Sequence, residues 1–286
     1  MADSAPRRDM RGIVDPAELL ARVRFRRHTP APELRPYLEH YWLIDWNLDQ
    51  PYVSRLVPHP SVNVVFQRYG PIGAPTASAH ASAEVSGIGH GLFTQELAES
   101  GRVCGAQFRP GGFRPFAPAW PVSVWTGRRV PAAGVFPQGP GSPDPLSRML
   151  SPDADHARVA ALDAFLLAHG PVPDPAADRA MELVDLIRTD RTVRRVSRLA
   201  ASSGLSARSL QRLFASHVGV GPKWVILRYR VHEALERADA ARAPEGPDWA
   251  GIAAELGYSD QAHLVRDFTA TVGVPPTAYA RGLSAP

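Results

Sequence analysis

Three side chains near the C-terminus are spaced to read a surface. Arg208, Gln211 and Arg212 follow i, i+3, i+4 and share one stripe of a helix, opposite the apolar stripe Leu210, Phe214 and Val218. An arginine fork matches two acceptors of guanine, and a glutamine amide matches the donor–acceptor pair of adenine, so the stripe suits base edges. On an arbitrary helix such residues are ordinary solvated groups. Here they lie in a run, Arg191 to His232, that holds nine Lys and Arg and no acidic residue. That is the pattern of a surface that follows phosphates.

Other reactive groups point less sharply. Cys104, the single cysteine, lies in Val-Cys-Gly-Ala and reads best as a buried strand residue, the alternative being a redox or alkyl-accepting thiol. The ten histidines form no His-x-His or His-x-x-x-His pair, and His90 with Glu96 makes no metal motif, so no metal is expected. His59 and Asn63 flank a turn and suit either a ligand or the turn's own backbone. Gly87-Ile88-Gly89-His90-Gly91 has no helix pattern behind it and is not read as a phosphate loop. No catalytic residue and no cofactor are expected.

The reading stripe needs a frame, and the chain supplies it twice. Leu199-Ala200-Ala201-Ser202-Ser203-Gly204-Leu205-Ser206 returns as Ile252-Ala253-Ala254-Glu255-Leu256-Gly257-Tyr258-Ser259. Leu210, Arg212 and Phe214 return as Leu264, Arg266 and Phe268, and each copy closes on Gly-Val and a proline, with one residue inserted between the registers. Helix, glycine turn and second helix make a helix-turn-helix. In the first copy Val193, Val196, Leu199 and Ala200 bury the supporting helix, Gly204 takes a positive φ, and Ser206 caps the reading helix. A linking helix runs from Lys223 to about Ala240, with Trp224, Leu227, Val231 and Leu235 along one side. Its roughly 27 Å length suits two reading helices about one DNA turn, ~34 Å, apart. In the second copy the outward stripe is Ala262, Val265, Arg266 and Thr269, with Gln261 and His263 beside it. Asp248, Glu255, Asp260 and Asp267 surround it, so the first copy is expected to dominate binding.

The rest of the chain reads as a separate α+β arrangement. The 286 residues suffice for two domains and the 44% hydrophobic content for real cores. One cysteine fits a reducing compartment, and the N-terminus carries no apolar signal core. No apolar run is as long as a membrane span, so the expectation is a cytoplasmic protein with no membrane contact. Residues 1–29 are expected to form a flexible arm. Residues 30–140 are expected to form a β-rich ligand-sensing domain, a small barrel or sandwich, opened by a helix over Leu34, Tyr37, Leu38 and Tyr41. Its candidate strands are Trp42–Trp46, Val53–Val57, Val62–Tyr69, Glu84–Ile88 and Arg102–Phe108, with turns at Pro58-His59-Pro60, Pro71-Ile72-Gly73 and Pro110-Gly111-Gly112. Residues 137–145 read as a linker, and the segment 141–189 as its second part followed by a helical hairpin, one stripe on Val159, Leu162, Phe165 and Leu166, the other on Met181, Leu183, Val184, Leu186 and Ile187. Residues 190–284 are the tandem helix-turn-helix, an all-α DNA-binding domain.

The motif Ile252-Ala253-x-x-x-Gly257-Tyr258-Ser259, then Leu264-x-Arg266-x-Phe268, Gly273-Val274-x-Pro276 and Tyr279 resembles the AraC/XylS family of bacterial transcription regulators over roughly residues 185–284. The resemblance implies two helix-turn-helix units joined by a helix and bound to promoter DNA. Positions matching the family's base-contacting residues are Arg208, Gln211 and Arg212, then Gln261, Ala262, His263 and Arg266. The connection Ala241 to Pro247 departs from the family in being longer and richer in proline. The N-terminal part is similar to the sensor region of one AraC subgroup through Pro32-x-Leu34-x-x-Tyr37-x-x-x-Tyr41-Trp42 and Gly105-x-x-Phe108-Arg109-Pro110-Gly111-Gly112. The expected function is a sequence-specific, ligand-controlled transcription regulator and not an enzyme. Its expected partners are double-stranded promoter DNA, a small-molecule effector, RNA polymerase and a second copy of the chain. Two alternatives stand: a bifunctional DNA-repair-type regulator using Cys104 as acceptor, and a constitutive DNA binder whose β domain only dimerises.

Overall fold

A computed structural model describes residues 12–70, 80–139, 143–240 and 246–283. The expected turn at residues 71–73, residues 140–142 of the linker and 241–245 of the proline-rich connection lie outside them, as do residues 1–11 of the arm.

The arm is structured from residue 12 onward. Helix α1 (Pro16–Arg22) is capped by Asp15, whose Oδ1 accepts from the Glu18 amide at 3.1 Å. Strand β1 (Val23–His28) follows directly and pairs antiparallel with β2 (Leu38–Asn47). Three arginines in β1 hide its alternation. One of them, Arg26, turns inward to Asp155 at 2.7 Å and to Asp45 at 2.5 Å. The expected helix over Leu34 to Tyr41 is instead a turn leading into β2. A bulge between Leu38 and His40 lets residues three apart, Leu38 and Tyr41, face the same core, which imitates helical spacing.

The strands that follow are β3 (Tyr52–Leu56), β4 (Asn63–Tyr69), β5 (His80–Ser86), β6 (Phe93–Leu97), β7 (Ser100–Phe108) and β8 (Arg129–Pro131). They do not close into a barrel. An antiparallel sheet in the order β1-β2-β7-β4-β5-β8 stays open at both edges, and β3 pairs with β6 in a separate two-stranded sheet. The edge strand β8 ends on Pro131, which has no N–H to extend the ladder. One face of the large sheet, with Tyr41, Leu43, Phe66, Cys104 and Phe108, packs on α2 (Pro145–Leu150) and α3 (Asp155–Leu167). The other face, with Trp46, Val65 and Val103, meets Leu19 of α1 and Leu97 of β6.

Helix α3 and the next helix, α4 (Pro175–Thr189), do not form the expected hairpin. Leu162, Phe165 and Leu166 of α3 complete the core of the sheet, while Leu183, Val184 and Ile187 of α4 join the core of the first helix-turn-helix. The apolar stripes are those expected, but they serve different cores. Asp45 of β2 ties the start of α3 to the sheet by accepting from Arg102 Nε at 2.7 Å and from Arg158 Nη1 at 3.1 Å. A carboxylate of this kind offsets part of the cost of removing an arginine from water.

The remaining helices are α5 (Val196–Ser203), α6 (Ala207–His217), α7 (Pro222–Ala240), α8 (Trp249–Glu255), α9 (Gln261–Val272) and α10 (Pro276–Leu283). The buried residues of α7 include Pro222, Val225, Ile226, Arg228, Val231, His232, Ala234, Leu235 and Ala238. Trp224 and Leu227, expected on its inner side, are only half-buried. The helix is gripped from more than one direction, so its buried arc is wider than one stripe.

Candidate nucleic-acid interface

Each helix-turn-helix is built from local signals that the structure realises closely. Helix α5 ends at Gly204 with φ +69°, a conformation that side chains with a Cβ avoid. Ser206 then caps α6, its Oγ accepting from the Ser209 amide at 3.1 Å. In the second unit α8 leads to Gly257 with φ +72°. Here the cap of α9 is Asp260, whose Oδ1 accepts from the His263 amide at 2.7 Å. The single inserted residue lies between the turn glycine and this cap, so Asp260 stands where Ser206 stands in the first unit and a charged cap replaces a neutral one. The hydrogen bond from the His263 amide holds the Asp260 carboxyl below the usual carboxylate range.

Helix α6 buries Leu210 and Phe214 and exposes Arg208, Gln211 and Arg212 on the opposite side. The three side chains are therefore on one accessible face. On α9, Leu264 and Phe268 are buried while Gln261, Ala262 and Arg266 are exposed. His263 is half-buried and engaged. Its Nδ1 lies 3.2 Å from Ser259 Oγ, its Nε2 is 3.5 Å from Asp267, and its ring meets Tyr258 edge-on.

The basic run divides into two groups. Arg195, Arg198, Arg208, Arg212 and Lys223 are exposed, and their side chains have no hydrogen bond or salt bridge to the described residues. The side chains of the other four have partners within the protein, although Arg191 and Arg194 are themselves exposed. Arg191 pairs with Glu233 at 2.9 Å, Arg194 donates to the Glu255 carbonyl at 3.0 Å, and Arg230 donates to the Arg194 carbonyl at 2.6 Å. Arg228 is buried against two loops of the sheet region. The stretch from Arg191 to His232 is thus not one phosphate-binding surface. Arg194 lies across the turn of the second unit, where a Cβ on Gly257 would stand 2.4 Å from its Nη1. Arg194 thereby joins the first unit to the second, and Arg191 and Arg230 tie the same segment to α7.

The sheet region docks on the base of α6. Thr126 Oγ1 donates to the Gly219 carbonyl at 2.7 Å. His217 is buried, with Nδ1 3.1 Å from the Leu213 carbonyl and Nε2 2.8 Å from Arg114 and 3.3 Å from Asp174. Burial holds His217 below the ordinary histidine range. The Arg109-Pro110-Gly111-Gly112 signature lies at a second contact. Arg109 donates to the Pro36 carbonyl at 2.9 Å and pairs with Asp185 of α4, and a Cβ on Gly111 would stand 3.1 Å from Met181 Cγ.

The remaining candidates have partners of their own. Cys104 is fully buried, donates to the Met149 carbonyl at 3.3 Å, and has its thiol pushed up to about 11 by burial. A protonated thiol with no accessible surface is a core residue and is not placed to take an alkyl group from DNA. Asn63 accepts from Trp42 Nε1 at 3.2 Å, and His59 stacks on His232 with ring centroids 4.2 Å apart. Among the described residues no group of three or more His, Cys, Asp or Glu could hold a metal, and no helix is long and apolar enough to cross a membrane.

Comparison with known proteins adds two family matches. Residues 199–282 match a helix-turn-helix domain, and residues 26–131 match a domain of unknown function (DUF6597). No curated protein matches. Among solved structures, the C-terminal domain of AraT, a response regulator from Geobacillus stearothermophilus, is similar at 21% identity over 38% of this chain and 86% of its own, with a TM-score of 0.33. ToxT from Vibrio cholerae O395 is similar at 12% identity over 86% of this chain and 98% of its own, TM-score 0.41. ToxT of strain SCE256 with an unsaturated fatty acid bound gives 13% identity, 84% and 94% coverage and a TM-score of 0.40. With its duplicated helix-glycine-helix units and the domain match over 199–282, the C-terminal part of this chain is an AraC-type helix-turn-helix domain.

Proposed function

We propose that the chain is a sequence-specific DNA-binding transcription regulator whose sheet domain, residues 30–140, answers to a small molecule. The exposed, unpartnered face of α6 carries this reading. Arg208 and Arg212 contact guanine edges, Gln211 contacts adenine, and Arg195, Arg198 and Lys223 contact phosphates. Helix α9 reads a second groove through Gln261 and Arg266, with Ala262 on thymine methyl groups and His263 drawn in when its bond to Ser259 opens. The 19 residues of α7 span roughly 28 Å, close to the ~34 Å between successive major-groove faces. RNA polymerase and a second copy of the chain are the protein partners.

The test is enrichment of bound sequences from randomised duplexes, followed by fluorescence anisotropy on the winner at several salt concentrations. A defined motif and a steep salt dependence are expected. Absence of any motif would overturn sequence-specific binding. The effector claim is tested apart from it, by thermal shift against a metabolite library. If no compound raises the melting temperature, the β domain loses its sensing role, and the constitutive alternative takes its place.

A further inference from the structure

Two loops of the sheet region end inside the DNA-binding half, each in a different core. Val57, at the end of β3, is fully buried among residues of α7, α8, α9 and α10. Ile88, in the glycine loop between β5 and β6, is buried among residues of α4, α5, α6 and α7. One side chain of α7 joins the loops. Arg228, only 4% exposed, donates Nη1 to the Pro58 carbonyl at 3.1 Å and Nη2 to the His90 carbonyl at 2.6 Å. Its guanidinium lies over the Trp224 ring at 4.3 Å. One turn further on, His232 Nε2 is 3.4 Å from the same Pro58 carbonyl.

This is an unusual use of a cation. Among the described residues its hydrogen bonds go to two main-chain carbonyls and to no carboxylate, so its burial carries a desolvation cost that no ion pair offsets. Burial lowers it to about 10, and it remains charged at neutral pH. The guanidinium is a planar fork that fixes the separation of whatever its arms bind, which a flexible ammonium does not. The loops also approach each other closely, since a Cβ on Gly89 would stand 2.9 Å from Pro58 Cγ. Leu92, where the second loop enters β6, also packs against the core that holds Val57, so with both loops anchored and one fork across them the sheet region can set how the two cores sit along α7.

We infer that Arg228 is a positioning residue for DNA recognition: by clamping loops 57–60 and 87–91 to α7, it fixes the relative placement of α6 and α9, and with it the half-site spacing the protein accepts. The inference rests on the DNA-binding reading above and adds an interdomain determinant of selectivity.

The experiment repeats the randomised-duplex enrichment with the full-length chain, its Arg228→Gln and Arg228→Lys variants, and Ile88→Ala, which withdraws a loop from its core while leaving α7 intact. The unsubstituted chain is expected to enrich a two-part motif with one spacing. Arg228→Gln should enrich the same two parts with scattered spacing. Its discrimination against a one-base-pair insertion should fall about tenfold, while affinity for the first half-site alone stays within about twofold. Arg228→Lys should fall between, and Ile88→Ala should resemble the glutamine variant. Should Arg228→Gln not fold, the lysine and Ile88 variants carry the comparison. Unchanged spacing discrimination in variants whose loops exchange amide hydrogens faster would overturn the inference and leave DNA binding standing. So would an equal loss on the half-site and the paired site. Failure of the unsubstituted chain to enrich any motif would instead remove the DNA-binding reading itself.

Discussion

The two helix-turn-helix units share a frame and differ in what they carry on it. Both bury a leucine and a phenylalanine of the second helix completely, Leu210 and Phe214 in one, Leu264 and Phe268 in the other, and both turn on a glycine of positive φ. The first unit caps its reading helix with neutral Ser206 and presents two exposed arginines and a glutamine. The second caps it with Asp260 and presents one arginine among acidic neighbours. The difference teaches that duplication preserved what holds a unit together and left free what it touches. Core positions answer to packing inside the unit, whereas exposed positions answer only to a partner outside it.

The strongest test of that asymmetry is on the reading faces. Arg208→Ala or Arg212→Ala should cost about 1–3 kcal/mol on an enriched duplex, and Arg266→Ala less, measured by anisotropy at fixed salt. Equal losses would make the two units equivalent readers. Next come the turns. Gly204→Ala meets open space and pays only for its backbone, about 1 kcal/mol. Gly257→Ala must also displace Arg194, so urea unfolding should show the larger loss there. A comparable loss at both would mean that Arg194 does not brace the second unit.

The third test uses pH. Burial keeps His217 neutral, so the unfolded chain binds the proton more readily, and the contribution is fully present above the ordinary histidine value of 6.5 and declines as pH falls below it. The melting temperature of the unsubstituted chain should therefore drop more between pH 7 and pH 5 than that of His217→Gln. The equivalent position of the second unit is Thr271, so the first unit alone should carry this dependence. The smallest effect is expected from Asp260→Asn, which keeps a good capping side chain and removes its charge. Affinity for the enriched duplex should rise a few-fold with little change in stability. Unchanged affinity would show that the acidic cap does not weaken the second reader.

Much of the DNA-binding half was legible in the sequence because its determinants are close in the chain. The glycine turns, the Ser206 cap and the apolar stripes of α6 and α9 are separated by three to eight residues, within the reach of helical periodicity. The β region was legible in its central strands, short runs bounded by proline and glycine turns and buried on both faces, and not at its edges. The β1 strand was concealed by arginines whose acidic partners, Asp45 and Asp155, are far along the chain, and the bulge in β2 gave Leu38 and Tyr41 the spacing of a helix. An open sheet and a closed barrel have the same strand patterns. Which one forms depends on whether the edge strands meet.

The site shows the same division. The sequence by itself determined that two similar units exist, which side chains of each reading helix point away from its core, and that the first unit is the more basic. Tertiary structure decided which arginines remain available to phosphates. Arg191, Arg194, Arg228 and Arg230 carry the same charge as Arg195, Arg198, Arg208 and Arg212. They differ only in having carbonyls or carboxylates within reach, supplied by segments as distant as Pro58 and Glu255. It also separated α3 from α4 and turned the glycine loop at Ile88 into a contact with the first unit. A residue's charge and periodicity are properties of the chain, but its partner is a property of the packing, and partners far apart in sequence leave no local signal.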